Sequence, residues 1–196
     1  MKLYYLPGAC SLADHIALHE AGAPFERERV DLKTRTTETG ADFLAINPKG
    51  YVPALVLESG ETLSENIAVL DWIAGQYPQL GVPGALGRTR LLEALAFIST
   101  EIHRSFKPMW HGGSEAELAR ARTAISALFD LLAAGRDADY LFGPRPSVAD
   151  FYLFVMLLWA ERFAVPVPER FAALRTRMMA RPAAQRAMRD EGLIAA

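Results

Sequence analysis

The sequence has 196 residues, 51% of them hydrophobic and 22% charged, with a formal net charge of −2. This length allows one large domain or two small ones around a substantial core, and the near-zero charge excludes the basic surface typical of proteins that bind nucleic acid or anionic membranes. A single cysteine, Cys10, excludes an intramolecular disulfide framework, so we expect a cytoplasmic protein with a small-molecule ligand.

The first segments alternate between strand and helix patterns. The segment KLYYL at 2–6 predicts a strand that Pro7-Gly8 ends, and a helix is predicted over about 11–21. The densely charged segment FERERVDL at 25–32 predicts an edge strand, where charge limits aggregation. A helix between these two strands makes them parallel.

A hairpin and a further helix complete this half of the chain. The segment ALVLESGETL at 54–63 predicts two antiparallel strands around Ser59-Gly60, and the next helix begins at Ser64 and ends before Pro78. With one weaker helix before the hairpin, the fold class is α/β with a mixed four-stranded sheet.

From about residue 86 the sequence predicts helices and no strand. Apolar residues three or four positions apart predict one amphipathic helix over 91–106, and the same pattern predicts helices over 115–134, 147–163, 169–180 and about 183–190. The third of these has an N-cap at Ser147, with Asp150 three residues later. The longest apolar run, 151–160, is too short to span a bilayer.

A segment rich in glycine and proline separates the two halves. The sequence YPQLGVPGALG at 77–87 would interrupt any helix. We therefore predict two domains, 1–80 and 86–196. A secretory signal is not expected, because Asp14, His15 and Glu20 interrupt the apolar region that a signal requires.

Cys10 lies where the first predicted strand gives way to a helix. The partial positive charge and unpaired N–H groups of a helix N-terminus would lower the pKa of a thiol there. Cys10 is therefore a candidate nucleophile or mixed-disulfide partner. A buried packing role fits the sequence as well. Because there is no second cysteine, redox chemistry would require an external thiol.

Two other segments suggest a binding site for an extended peptide. A cis Val52-Pro53 bond would leave the Val52 backbone free to pair with such a ligand, although a trans proline at a strand start is the commoner arrangement. Glu65 and Asn66 follow Ser64 at a helix start, where a carboxylate could hold an ammonium group and the helix N-terminus a carboxylate. Alternatively, Ser64, Glu65 and Asn66 start the helix and bind no ligand.

Four stretches together resemble the cytosolic glutathione S-transferase family, most closely its bacterial beta class. They are MKLYYLPGACSLADHIALHEAG, ADFLAINPKGYVPALVLESGETLSENIAVLDWIA, EIHRSF and PSVADFYLF. The resemblance implies a thioredoxin-like N-terminal domain, an all-helical C-terminal domain that carries the electrophile pocket, and a homodimer. It also implies glutathione as co-substrate and no metal.

The resemblance assigns each part of glutathione to residues of this chain. The γ-glutamyl end would meet Glu65 and Asn66, the cysteinyl backbone would pair with Val52, and the glycyl carboxylate would meet Arg35, where the family usually has lysine. The sulfur would lie beside Cys10. The full implied set is Cys10, Arg35, Tyr51, Val52, Pro53, Glu65, Asn66, Thr100, Glu101, His103 and Arg104.

The expected reaction is attack by the glutathione thiolate on a small apolar electrophile. We take Cys10 and Ser11, at the helix start, as catalytic in preference to Tyr5, which is expected in the core. The resemblance adds His103, which would assist thiol ionisation or place a water. The electrophile pocket is predicted to comprise Phe106, Met109, Trp110 and His111.

Other activities remain open on the sequence. Ala96 stands where the family has an asparagine, and Arg104 stands where it often has lysine. A thiol reductase or peroxidase that uses a Cys10 mixed disulfide is one alternative, and a ligand-binding protein without catalysis is another.

Overall fold

The computed structural model describes residues 1–195, and its N-terminal part is built on one mixed sheet. The strands are β1 (Lys2–Tyr5), β2 (Glu26–Asp31), β3 (Thr36–Thr37), β4 (Ala54–Val56) and β5 (Thr62–Ser64). Their order across the sheet is β3-β2-β1-β4-β5. Strands β1 and β2 are parallel, and the remaining neighbours are antiparallel. The predicted mixed sheet and hairpin are confirmed.

Two details of the predicted sheet are wrong. The sheet has five strands instead of four, and β2 lies between β1 and β3 instead of at the edge. The Asp31 carboxylate accepts hydrogen bonds from the N–H groups of Lys33 and Thr34, and this turn returns the chain so that Thr36–Thr37 pairs with β2. The Arg35 N–H also donates to the Asp31 carbonyl at 2.8 Å, and strand periodicity reveals none of these turn contacts.

Three helices accompany the sheet: α1 (Leu12–Glu20), α2 (Phe43–Ile46) and α3 (Asn66–Gln76). Helix α1 is buried from Leu12 through Leu18, because α3, α7 and α9 all pack against it. This burial fixes the residues at its N-terminus, including those near Cys10.

The remaining helices form the C-terminal part. They are α4 (Gly87–Phe97), α5 (Lys107–Trp110), α6 (Glu115–Ala133), α7 (Val148–Arg162), α8 (Glu169–Met179) and α9 (Pro182–Asp190). The predicted helices correspond to α4 and α6 to α9, and Ser147 is the N-cap of α7 as expected. Within residues 1–195, no sheet strand follows Ser64, and no helix is long and apolar enough to cross a membrane.

The prediction of one regular helix over 91–106 is wrong. Helix α4 ends at Phe97, and a π-helix follows over Ile98–His103. Ile98, Ile102 and Phe106 remain fully buried, because a spacing of four residues is compatible with both helix types. The wider turn changes the direction of the polar side chains in between, including His103.

One apolar core extends from the sheet into the C-terminal helices. Leu3 on β1, Ile16 on α1 and Phe154 on α7 belong to the same buried cluster. The predicted domain boundary falls in the segment between α3 and α4, where the 3-10 helix Pro78–Leu80 is found.

Candidate active site

Cys10 lies between the N-terminus of α1 and the chain that precedes β4, a region that we call the cleft. It is half-buried, and its sulfur is 3.8 Å from the Val52 carbonyl oxygen. The Val52-Pro53 peptide bond is cis, which is the conformation that would leave the Val52 backbone free to pair with a ligand. The Val52 backbone and the Cys10 sulfur are therefore neighbours.

The expected low pKa of Cys10 is wrong. Burial, followed by the charge of the Asp14 carboxyl, raises the pKa of Cys10 to about 12. The backbone N–H groups of Cys10 and Ser11 at the start of α1 lower the pKa of the thiol, but they do not offset its burial. Cys10 is therefore a neutral thiol near pH 7 in the ligand-free protein.

A buried carboxyl lies one helical turn after Cys10. Asp14 is fully buried, and burial raises its pKa well above the usual range. With its amide nitrogen facing α1, Asn66 donates to Asp14 Oδ2 at 2.6 Å and to the Cys10 carbonyl at 3.2 Å. Within residues 1–195, Asp14 Oδ1 has no hydrogen-bond partner. The Asn66 side chain thus joins the start of α3 to the start of α1.

Ser11 occupies a different position from the one that a catalytic hydroxyl needs. It is fully buried, and its Oγ accepts from the Leu6 N–H at 3.3 Å and lies 3.5 Å from the Leu6 carbonyl. These bonds close the turn between β1 and α1. The prediction of Ser11 as a catalytic residue is corrected to a structural role, because the hydroxyl is enclosed in that turn. Tyr5 is in the core, as expected.

Glu65 presents its carboxylate at the start of α3. Its φ of 77° lies in the left-handed region, which is uncommon for a residue other than glycine. The carboxylate accepts hydrogen bonds from Lys49 Nζ at 2.6 Å and from the Tyr51 hydroxyl at 3.0 Å. The hydrogen bond from Lys49 is the main reason why the pKa of Glu65 is lowered. An ionised carboxylate is therefore held beside the Val52 backbone.

Arg35 approaches the same segment from the other side. Its φ is 60°, and its guanidinium lies over Gly50, where an added Cβ would come within 2.5 Å of Arg35 Nη1. The φ of Gly50 is 71°, so glycine provides both the backbone conformation and the space. Arg35 and Lys49 place two cations near one end of the segment that carries Val52.

His103 faces a buried hydroxyl on α7. Its Nδ1 is 2.6 Å from the Tyr152 hydroxyl, and its ring packs edge-on against Trp159 at 4.9 Å. Burial lowers the pKa of His103 to about 4, so the imidazole is neutral near pH 7. Burial, followed by the neighbouring Cys10, raises the pKa of Tyr152. Tyr152 therefore lies near Cys10 and connects it to His103.

The other polar residues predicted around His103 lie on another surface. Thr100, Glu101 and Arg104 are exposed and line a groove of about 620 Å³ between the π-helix and α6. Within one chain they are not brought together with Cys10.

An aromatic cluster forms part of the predicted electrophile pocket. Trp110 packs against Trp159 at 5.1 Å and Phe163 at 4.8 Å, and 40% of its surface remains exposed. Phe106 is fully buried behind Trp159, so its predicted place as a pocket wall is corrected to a supporting core position. Met109 is half-buried, and His111 is exposed.

Comparisons with known proteins agree with this arrangement. The family models "Glutathione S-transferase, N-terminal domain" and "Glutathione S-transferase, C-terminal domain" match residues 9–76 and 115–189. Glutathione S-transferase GstA of Escherichia coli O157:H7 is 38% identical over 203 residues, which cover 98% of this chain and 100% of that protein. The chain belongs to the glutathione S-transferase family. It is a glutathione S-transferase enzyme with a thioredoxin-like N-terminal part and an all-helical C-terminal domain.

Solved structures relate the transferase to the bacterial beta class. The bacterial beta-class enzyme of Sphingomonas chungbukensis is 43% identical with a TM-score of 0.86, over 99% of this chain and 100% of that one. A sphingomonad glutathione S-transferase complexed with glutathione is 44% identical with a TM-score of 0.86 and the same coverage. The predicted family and class are confirmed.

Three residues of the transferase's candidate site are not among those that the sequence predicts. They are Lys49 beside Glu65, Tyr152 beside His103, and Trp159, whose Nε1 donates to the Gly8 carbonyl at 2.8 Å. A tyrosine and a tryptophan inside the apolar run 151–160 were the available signal, because their polar atoms need partners when buried. The identity of those partners depends on the tertiary fold.

Proposed function

We propose that the transferase binds reduced glutathione along the Val52 backbone and directs its thiolate at small hydrophobic electrophiles. The observation that carries this proposal is a row of contacts along the chain: Cys10 contacts Val52, and the adjacent Tyr51 contacts Glu65. Such a line of groups suits an extended tripeptide with an ammonium group near the Glu65 carboxylate. The first-turn N–H groups of α3, which has no side-chain cap, suit the neighbouring γ-glutamyl carboxylate.

The guanidinium of Arg35 over Gly50 suits the glycyl carboxylate. Arg35 supplies a guanidinium there, and Lys49 can turn from Glu65 toward the ligand because its side chain is 46% exposed. The ligand's ammonium would then replace Lys49 as the partner of Glu65. The Asn66 side chain is committed to Asp14 and Cys10, so its contribution to glutathione would come from its backbone N–H.

The reacting thiolate in this proposal belongs to glutathione. Lowering the pKa of its thiol by about two units needs about 2.7 kcal/mol of preference for the anion. The N–H groups at the start of α1 and a charge-assisted hydrogen bond can provide this amount. With an aryl halide, the new carbon–sulfur bond replaces the carbon–halogen bond, halide departs, and the thiol proton goes to solvent.

The chemistry of Cys10 distinguishes the transferase from a thiol reductase. A pKa of about 12 disfavours Cys10 as a resident thiolate, so the reductase or peroxidase that uses its mixed disulfide is the second candidate. We expect Cys10→Ala to retain glutathione binding and conjugation of a chlorodinitrobenzene. Loss of a disulfide-reducing activity in this variant, together with a glutathione adduct in the mass of the wild-type protein, would favour the reductase.

A homodimer is part of the proposal. Thr100, Glu101 and Arg104 lie away from Cys10 of their own chain, so they could contact only glutathione held by a second copy. Light scattering on the purified protein measures the oligomeric state. A monomer at micromolar concentration would remove these three residues from the site.

We expect Glu65→Gln to weaken glutathione binding about 10- to 100-fold, because a charge-assisted hydrogen bond contributes about 1.5–3 kcal/mol. Calorimetric titration measures the dissociation constant. Glu61→Gln, an exposed neighbour in the hairpin, serves as the matched control and should leave it unchanged.

A ligand variant sharpens this test. A glutathione analogue that lacks the amino group should bind the wild-type protein and Glu65→Gln with similar affinity. If Glu65→Gln weakens both ligands equally, Glu65 does not hold the ammonium group.

A further inference from the structure

Helices α1 and α9 bring two imidazoles and a carboxylate together outside the glutathione cleft. His15 and His19 lie one turn apart on α1, and their stacked rings are 4.9 Å apart. The Asp190 Oδ2 atom on α9 is 3.1 Å from His19 Nε2 and 3.7 Å from His15 Nε2. One potential ligand atom from each of these three residues lies within 4.8 Å of the other two.

His15 has an unused nitrogen that faces this cluster. Its side chain is fully buried, and its Nδ1 is 2.9 Å from Glu191 Oε1. Among the described residues 1–195, its Nε2 has no hydrogen-bond partner. When Nδ1 donates to Glu191, Nε2 carries a lone pair and faces a carboxylate oxygen instead of a donor. A cation between them would satisfy both atoms.

We propose that His15 Nε2, His19 Nε2 and Asp190 Oδ2 form a binding site for a divalent ion of the Zn²⁺ type. Zinc binds imidazole nitrogen and carboxylate oxygen at about 2.0–2.2 Å, which places tetrahedral ligands about 3.3–3.6 Å apart. The two distances to Asp190 Oδ2, 3.1 and 3.7 Å, lie close to this value. A water would complete the four ligands.

Surrounding groups hold two of the three ligands in place. Glu191 fixes the ring of His15, as carboxylates commonly do for histidine ligands of zinc. Arg27 Nη2 is 3.0 Å from Asp190 Oδ1, so the second carboxylate oxygen, Oδ2, is the one that faces the imidazoles. The site therefore has the outer contacts expected of a metal centre.

An open groove provides access to the site. A cavity of about 440 Å³ borders His19 and Arg186. The positive charge of Arg186 acts on both imidazoles and that of Arg27 acts on His15, and both charges reduce the affinity for a cation. We therefore expect micromolar binding instead of the tighter binding of an all-cysteine site.

The bound ion would join the N-terminal part of the transferase to its last helix. His15 and His19 belong to the helix that starts beside Cys10, whereas Asp190 ends α9. The ion would therefore stabilise the folded protein by binding to the native state alone.

Calorimetric titration of the metal-free protein with Zn²⁺ tests this proposal. We expect one ion per chain, and at a hundredfold excess over the dissociation constant a rise in Tm of about 5–10 °C. His19→Gln should weaken binding at least tenfold, and Asp190→Asn provides a second, more exposed change. His111→Gln and Cys10→Ser are matched controls that should bind as the wild type does.

Three results would overturn the site: no heat and no Tm change at millimolar Zn²⁺, unchanged binding in both His19→Gln and Asp190→Asn, or loss of binding in Cys10→Ser or His111→Gln. Far-UV circular dichroism confirms that each variant is folded. None of these measurements involves glutathione, so the outcome is independent of the proposed conjugation.

Discussion

In the ligand-free protein at pH 8, Cys10 is expected to react with a small disulfide about 50-fold more slowly than an ordinary cysteine. With a pKa of about 12, about one Cys10 side chain in ten thousand is a thiolate at this pH. An ordinary thiol of pKa about 8.5 is about one-quarter ionised. The more basic Cys10 thiolate is intrinsically more reactive by a factor of about 40, which offsets most but not all of the difference.

The pH profile of this reaction gives the clearest measurement. Because the raised pKa keeps the Cys10 thiol protonated, the thiolate fraction increases about tenfold per pH unit up to pH 10. The reaction rate should increase by the same factor. Stopped-flow absorbance with an aromatic disulfide follows the reaction at each pH. Asp14→Asn removes a buried carboxyl that raises this pKa and should increase the rate severalfold. A rate that reaches a plateau below pH 8 would mean that the thiol is acidic.

Replacement of Asp150 by alanine is expected to lower the free energy of unfolding by about 3–5 kcal/mol. Asp150 is fully buried at the third position of α7. It accepts hydrogen bonds from the N–H groups of Leu141 and Ser147 and from the Ser147 hydroxyl, each at 2.8 Å. Alanine would leave three buried donors without partners at the start of the most deeply buried helix.

Thermal unfolding measures this loss, and the chain contains a matched control. For a protein of this size, the expected change corresponds to a fall in Tm of about 6–20 °C. Ser114 caps α6 in a similar box with Glu117, but that box is exposed. Ser114→Ala should therefore cost only about 1 kcal/mol. Equal Tm changes in the two variants would contradict the assigned role of burial.

Features encoded by neighbouring residues were predicted correctly. Helix α7 was recognised because Ser147 and Asp150 are three residues apart and precede an apolar run. The position of Cys10 at a strand-to-helix junction was also correct. Both predictions use information within a few residues, where the geometry of a helix start is set.

Features that depend on tertiary contacts were not predicted. The helix that follows Cys10 predicts a low pKa for its thiol, whereas the fold buries this thiol against the Val52 segment and near Asp14. Tyr152 meets His103 from 49 residues away along the chain. The π-helix was missed because its buried isoleucines satisfy either helical spacing. Local periodicity contains no information about these distances.

The Pro7–Gly8 turn has a consequence for synthesis of the protein. The Gly8 N–H donates to Glu191 and its carbonyl accepts from Trp159, although these partners follow by 183 and 151 residues. During translation the sheet can begin to form early. The turn beside Cys10 gains both contacts only after Glu191 has left the ribosome, so this turn is completed later than the sheet strands that flank it can form.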